Sequence, residues 1–336
     1  MLRRLIVLLL LGGSGWAAAH HSTSEYEGLP TREIDGTVIR VFWRNPHVMI
    51  HVETADRVWR LEGASVSSLR RRGLTQDMVQ VGDRVKAAGP PSSRREQHIL
   101  VENLLLPGGE ELLIRRNAVA RWPEASVYVA RQPDAESAET AANADGIFRV
   151  WTWGRLSPGW WFFAPPENFP LTETAKAQAA TWNEFTDNPQ LDCIAPGMPA
   201  TMGNPYPIEF RRVGSNIELR QEEFDVVRTL HIGQRRDSAP TDSPLGYSVG
   251  EWEDSSTLVV KTTNIDWPYF NRVGVPQSDA VEVHERFVVD DEAGRLSYRL
   301  TVTDPATLTV PYEYDALWVW EPTEVLGRYD CRVETD

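Results

Sequence analysis

The sequence predicts a mainly β fold in two parts: a small OB-like barrel, then a larger antiparallel lipocalin-like barrel or sandwich. Three observations carry this. Apolar and polar residues alternate with period two through short runs along most of the chain. Turn residues such as Gly82-Asp83, Gly89-Pro90, Gly214-Ser215, Asp254-Ser255 and Ala293-Gly294 separate those runs. The acidic, Ala-rich stretch ARQPDAESAETAANAD (130–145) lacks large apolar residues and divides the two parts.

MLRRLIVLLLLGGSGWAAA (1–19) has the parts of a secretory signal: Arg3 and Arg4, an apolar run too short to span a bilayer, and small residues Ala17 to Ala19 at the cleavage positions. An exported, periplasmic or secreted protein is expected, with no stable membrane span after cleavage. Residues 20–110 are read as the OB-like domain. EIDGTVIRVFW, VMIHVET and DRVWRLEG are strands, SVSSLRRRGL is a short helix, and VGDRVKAAGPP and HILVENLLLP are two more strands. Residues 111–145 are read as a linker and 146–336 as the larger β domain. There, TETAKAQAATWNEF places Ala175, Ala179, Trp182 and Phe185 on one helical face, with Thr172 as N-cap. Strand-like runs follow at roughly ten-residue spacing, from NPYPIEFRRVG to ALWVWEP.

The formal net charge is −14. Residues 30–107 carry 12 Lys/Arg against 9 Asp/Glu, so the acidity lies outside the first domain. An acidic chain without a basic face is a poor partner for nucleic acid. Arg70-Arg71-Arg72 reads as a solvated turn. The two cysteines, Cys193 and Cys331, are expected to bridge in an oxidising compartment. The loop is on the order of 140 residues, for which chain entropy gives roughly 4–5 kcal/mol. The bridge would tie the last strand to the start of the second domain.

The candidate metal ligands are His20, His21, His47 and His51. Cleavage after Ala19 leaves His20 first, where the free amine and the ring chelate Cu(II) as a histidine brace. Cleavage after Ala18 or after Ala17 places a histidine third, where the amine, two backbone nitrogens and the imidazole form a square plane suited to Cu(II) or Ni(II). An N-terminal amine has a pKa near ~8, so a metal displaces its proton at neutral pH. In NPHVMIHVE, alternation puts His47, Met49 and His51 on one strand face and Val48, Ile50 and Val52 on the other, core-facing one.

Catalytic candidates are weaker. In AVEVHERFVV, Glu285 shares a face with Val281, Val283 and Phe287, and a carboxylate there needs a partner. Arg228 in DVVRTL is that candidate partner, as a structural pair or as a ligand anchor with an acid/base group. Asp304 reads first as a turn residue before Pro305. Gly246-Tyr247-Ser248-Val249-Gly250 matches G-x-S-x-G in form, but a hairpin follows rather than the helix a nucleophile elbow needs. The aromatic run Trp151, Trp153, Trp160, Trp161, Phe162, Phe163 is read as buried plugging rather than an exposed stacking surface.

His20-His21-Ser22, the run Gly36 to Asn45-Pro46-His47, Trp59 to Gly63 and Gly82 to Gly89 together resemble a domain of unknown function found in exported bacterial proteins. The second part is similar to an equally uncharacterised companion, through Cys193 to Pro199, G-x-S-x-G-x-W-E and a terminal Tyr-Asp-Cys. The resemblance covers nearly the whole mature chain and implies no established activity. It points to His20, His21 and His47 as the family's own histidines, with Met49 and His51 outside the pattern. Many relatives carry His where Tyr247 stands.

The functional expectation is a periplasmic binding protein that coordinates Cu(II) at its processed N-terminus and holds a small apolar or sugar ligand in the larger domain. The rival readings are an enzyme acting on a small molecule in that barrel's cavity, with Glu285, Arg228 and Asp304 as its polar groups, and a structural or assembly factor of the envelope. Oligomeric state is not legible from the sequence.

Overall fold

In the computed structural model, the chain is described over residues 24–115, 117–128, 144–154, 161–184, 186–233, 243–322 and 324–333. The first domain holds β1 (Arg32–Phe42), β2 (Met49–Glu53), β3 (Val58–Glu62), helix α1 (Val66–Arg70), β4 (Arg84–Gly89), β5 (His98–Leu100), β6 (Asn103–Leu105), β7 (Glu110–Leu113) and β8 (Ser126–Val127). They form one sheet in the order β5-β3-β2-β1-β4-β6-β7-β8. β1 serves two partners: Arg32–Thr37 pair with β4 and Thr37–Phe42 with β2, with the register shifting between Val38 and Arg40. That crossing needs Gly36, where a Cβ would lie 2.3 Å from the Glu53 carbonyl oxygen.

The first five strands curl toward closure. Pro91 bridges Ile99, and Leu100 N–H donates to the Pro90 carbonyl at 2.9 Å. With α1 between β3 and β4, this is the expected OB-like arrangement. Ser65 caps α1 by accepting from Ser68 N–H at 3.2 Å, and Leu69 seals the core below. Val48, Ile50 and Val52 face inward, all but inaccessible, as the alternation predicts. Full burial of each contributes about 1.5–3 kcal/mol.

The sheet continues into residues expected to be linker. β6 and β7 form a hairpin, and β8 pairs with β7. The reason is a buried carboxylate: Glu111 accepts from Asn103 Nδ2 at 2.6 Å and from the Arg121 and Trp122 N–H groups at 2.8 and 3.3 Å. The segment around Trp122 therefore folds back on the first domain.

The second domain is a closed barrel of nine strands: β9 (Val150–Trp153), β10 (Ile208–Val213), β11 (Asn216–Gln221), β12 (Val227–Ile232), β13 (Tyr247–Trp252), β14 (Thr257–Thr263), β15 (Glu282–Asp290), β16 (Arg295–Thr303) and β17 (Tyr312–Trp320). β10 to β17 follow in sequence order, and β9 closes the ring between β17 and β10. The expectation of an antiparallel barrel holds with one exception, as β12 and β13 run parallel. Trp151, Phe210, Phe287, Tyr298 and Trp318 fill the inside. Of the aromatic run, Trp151, Trp161 and Phe162 are buried as expected and Trp153 is half-buried. Trp160 and the Phe163 side chain lie outside the described residues.

Helix α2 (Glu173–Ala179) has Thr172 as its N-cap, and Ala175 and Ala179 face the core. It stops before Trp182, whose ring lies on Gly274; a Cβ at Gly274 would fall 2.2 Å from that ring. The long extension of this helix through Phe185 is therefore not formed, and Phe185 itself lies outside the described residues.

Cys193 and Cys331 are bridged, with Cα atoms 5.8 Å apart across 138 residues. Cys331 does not belong to the last strand. It lies beyond β17, in a tail that crosses to the first domain and forms a bridge with Asn45. The arginine triad joins the same contact. Arg70 and Arg71 donate to Glu222 of the barrel at 2.8 and 3.2 Å, and Arg72 donates to the Leu113 and Ile114 carbonyls at 2.7 and 2.6 Å. Arg70 and Arg71 form an interdomain clasp rather than a solvated turn, because Glu222 is fully buried and needs counter-charge, while Arg72 is held within its own domain.

Replacing both cysteines with serine should lower stability by up to about 4–5 kcal/mol. The denaturant midpoint under non-reducing conditions measures this; an unchanged midpoint would mean the barrel holds the tail without the bridge.

Candidate functional site

A buried polar cluster sits on the outer face of β2, β3 and β5, where the sheet is covered by the single turn Ser24–Tyr26. Its centre is Glu62, at the end of β3, directly opposite Met49 in register. Glu62 Oε1 lies 2.6 Å from His47 Nδ1. Oε2 accepts from the Tyr26 hydroxyl and from Arg95 Nη2, both at 2.9 Å. Arg95 also donates to Glu25 at 2.6 and 3.1 Å and to the Tyr26 hydroxyl. His98 Nδ1 lies 3.0 Å from that hydroxyl. Glu25, Tyr26, Glu62 and His98 are all buried, while the His47 side chain keeps 24% of its surface exposed.

The charges explain each protonation state. Burial alone would push the Glu62 carboxyl up, but His47 and Arg95 beside it outweigh that and hold it well below the usual carboxylate range. Burial, reinforced by the Glu62 charge, pushes the Tyr26 hydroxyl far above the usual phenol range, so it stays a donor. Burial and the neighbouring Arg95 bring His98 down to about 4, so its ring is neutral at pH 7. In the neutral form that ligates a metal, the His47 ring would donate from Nδ1 to Glu62, which only accepts, and keep its lone pair on Nε2. A carboxylate behind one ring nitrogen is the usual support for a histidine that ligates through the other.

His51 takes a different place from His47. It lies in β2 opposite Arg40 and Arg60, buried with its ring centroid 5.6 Å from that of Phe42. His47 precedes β2, in the loop after Asn45-Pro46; its bond to Glu62, the register partner of Met49, brings it to the outer sheet face. His20 and His21 lie outside the described residues. Among the described residues, no group of three His, Cys, Asp or Glu side chains is placed to hold a metal ion. Sequence reasoning missed Glu62, Tyr26, Arg95 and His98. The one signal for them is Glu62 at the end of the strand, beside Gly63 in W-R-L-E-G.

The barrel's polar candidates are partly joined. Arg228 and Glu285 form a buried two-pronged pair: Arg228 Nη1 donates to Glu285 Oε1 at 3.1 Å and Nη2 to Oε2. Arg228 also donates to Ser248 Oγ at 2.8 Å and Thr262 Oγ1 at 2.7 Å, and Tyr298 donates to Glu285 at 3.0 Å. Ser248 is thus a buried residue of β13 that binds a guanidinium, not the tip of a nucleophile elbow. Asp304 is separate from this set. It holds the turn after β16 by accepting from Ser278 N–H and Oγ at 2.7 and 2.6 Å. The pair and the serine form a satisfied knot in a packed interior, and Asp304 does the work of a turn residue.

Residues 8–100 match the model of a family described as a family of unknown function (DUF6152). The matched stretch includes His20-His21-Ser22, Asn45-Pro46-His47 and Glu62, and ends before the barrel. It brings no established activity. No curated protein matches the chain. No helix among the described residues is long and apolar enough to cross a membrane.

Two outcomes follow for stability. Glu285→Gln strands the Arg228 charge and should cost about 3–5 kcal/mol, whereas replacing both residues with apolar ones of similar volume should recover most of it. Chemical denaturation of the two variants beside the wild type distinguishes a structural knot from a dispensable one. For His98, the unfolded ring titrates near ~6.5 and the folded ring near about 4. The unfolded state therefore binds the extra proton between those values. Stability should be fully present above the upper value and fall as pH drops toward the lower one. His98→Gln should flatten that part of the stability–pH curve; an unchanged slope would contradict the neutral buried ring.

Proposed function

We propose that this is an exported metal-binding protein whose first domain coordinates Cu(II) through its processed N-terminus and His47. The single observation that carries the reading is the His47–Glu62–Tyr26 chain of hydrogen bonds. It fixes the His47 tautomer, and it anchors the start of the mature chain on the same carboxylate. Tyr26 follows His20 by six residues, a reach of at most about 22 Å of extended chain. Cleavage after Ala19 would free the His20 amine beside its own ring, and His47 Nε2 is the further nitrogen that a planar Cu(II) site needs. Imidazole and amine nitrogens favour copper over harder cations. The barrel takes no ligand in this reading, since large aromatics and the Arg228–Glu285 pair occupy its inward faces.

Titration of the correctly processed chain with Cu(II) tests this. His20→Ala and His47→Ala should each weaken binding, and Glu62→Gln should weaken it about 10–100-fold by removing the support behind the ring. Equal affinity in the wild type and His20→Ala would overturn the proposal.

A further inference from the structure

We propose that Asn45 is a positioning residue for His47, and that the barrel's C-terminal tail tunes metal binding in the first domain through it. This rests on His47 being a metal ligand. Asn45 is buried, and its polar atoms are committed in three directions. Nδ2 donates to the Tyr329 carbonyl, Oδ1 accepts from Val66 N–H at 3.0 Å, and its own carbonyl accepts from Arg332 N–H at 3.2 Å. Three residues further, Val48 is pinned on both sides: its N–H donates to Ala64 at 3.1 Å, and its carbonyl accepts from Gly63 at 2.7 Å. His47 is therefore suspended between a residue held by its own domain and one held by the other domain.

The tail itself belongs to the barrel. Cys331 is bridged to Cys193. Tyr329 packs on Tyr206 and Phe224, and its N–H donates to Asp225 at 3.2 Å. The peptide leading into His47 thus takes its position from the barrel as well as from its own sheet. If the tail lifts, Asn45 loses two of its three partners and keeps only the Val66 contact. His47 then leaves the reach of Glu62 in a fraction of molecules, and the metal site is populated only in the remainder. Coupling of this kind is reciprocal: a metal that holds His47 in place also holds the tail down.

The test uses the processed full chain and Cu(II). Asn45→Asp keeps the acceptor for Val66 and loses the donor to Tyr329; it should weaken Cu(II) binding about tenfold, in the range typical of residues that orient ligands. It should also alter the nitrogen coupling in the Cu(II) electron paramagnetic resonance spectrum, which a merely structural loss would leave unchanged. The Cys193→Ser/Cys331→Ser double variant should shift affinity in the same direction. Hydrogen exchange on the wild type needs no variant: Cu(II) should slow exchange at the Arg332 and Val66 amides. Wild-type binding that depends on His47 but is unchanged in both variants, with no added protection at Arg332, overturns the coupling alone. Absence of His47-dependent binding in the wild type overturns both the coupling and the metal reading.

Discussion

A carboxylate taken out of water must have its lone pairs met, and Glu62 meets this demand with groups from three separate stretches of chain. His47 comes from the loop before β2, Arg95 from the segment before β5, and Tyr26 from the turn that precedes β1, while Glu62 itself ends β3. Losing one partner would leave a buried charge partly unsatisfied, at a cost of about 1–3 kcal/mol or more. The entry of the chain, the loop at His47 and the cover over the outer sheet face are thus set by one side chain. The His98 ring next to it stays neutral because Arg95 is already committed there and burial does the rest.

The periodic features were legible in the sequence. Alternation places Val48, Ile50 and Val52 in the core, the pairing of the only two cysteines is correct, and a charge on an inward strand face identifies the Arg228–Glu285 pair. Each is a local pattern or an elimination with one solution. The Glu62 cluster has neither property. Its members stand singly, up to 72 residues apart, and only the strand order β5-β3-β2 brings them together. Arg70 and Arg71 look like part of a solvated charge run because their partner, Glu222, lies in the other domain.

The two domains meet through different physics at two places. At the clasp, charge dominates: Glu222 accepts from Arg70, Arg71 and the Gly327 N–H. Nearby, burial pushes the Glu324 carboxyl up to about 7 even though Arg71 stands 3.8 Å away, because Glu222 already draws on the same arginines. At Asn45, the contact is neutral and directional, made of amide and peptide groups that salt does not screen. Raised ionic strength therefore acts on the first place far more than on the second.

The crossing tail also fixes an order of events. Everything Asn45 needs from the barrel lies after β17, so a chain emerging from its N-terminus completes the first sheet long before the tail exists. During that interval the loop before His47 has only its Val66 contact, and Cys193 is exposed as a lone thiol awaiting a partner synthesised 138 residues later. The bridge can form only once both cysteines exist, and a chain cut short between β17 and Tyr329 would lack the peg that seats its N-terminal domain.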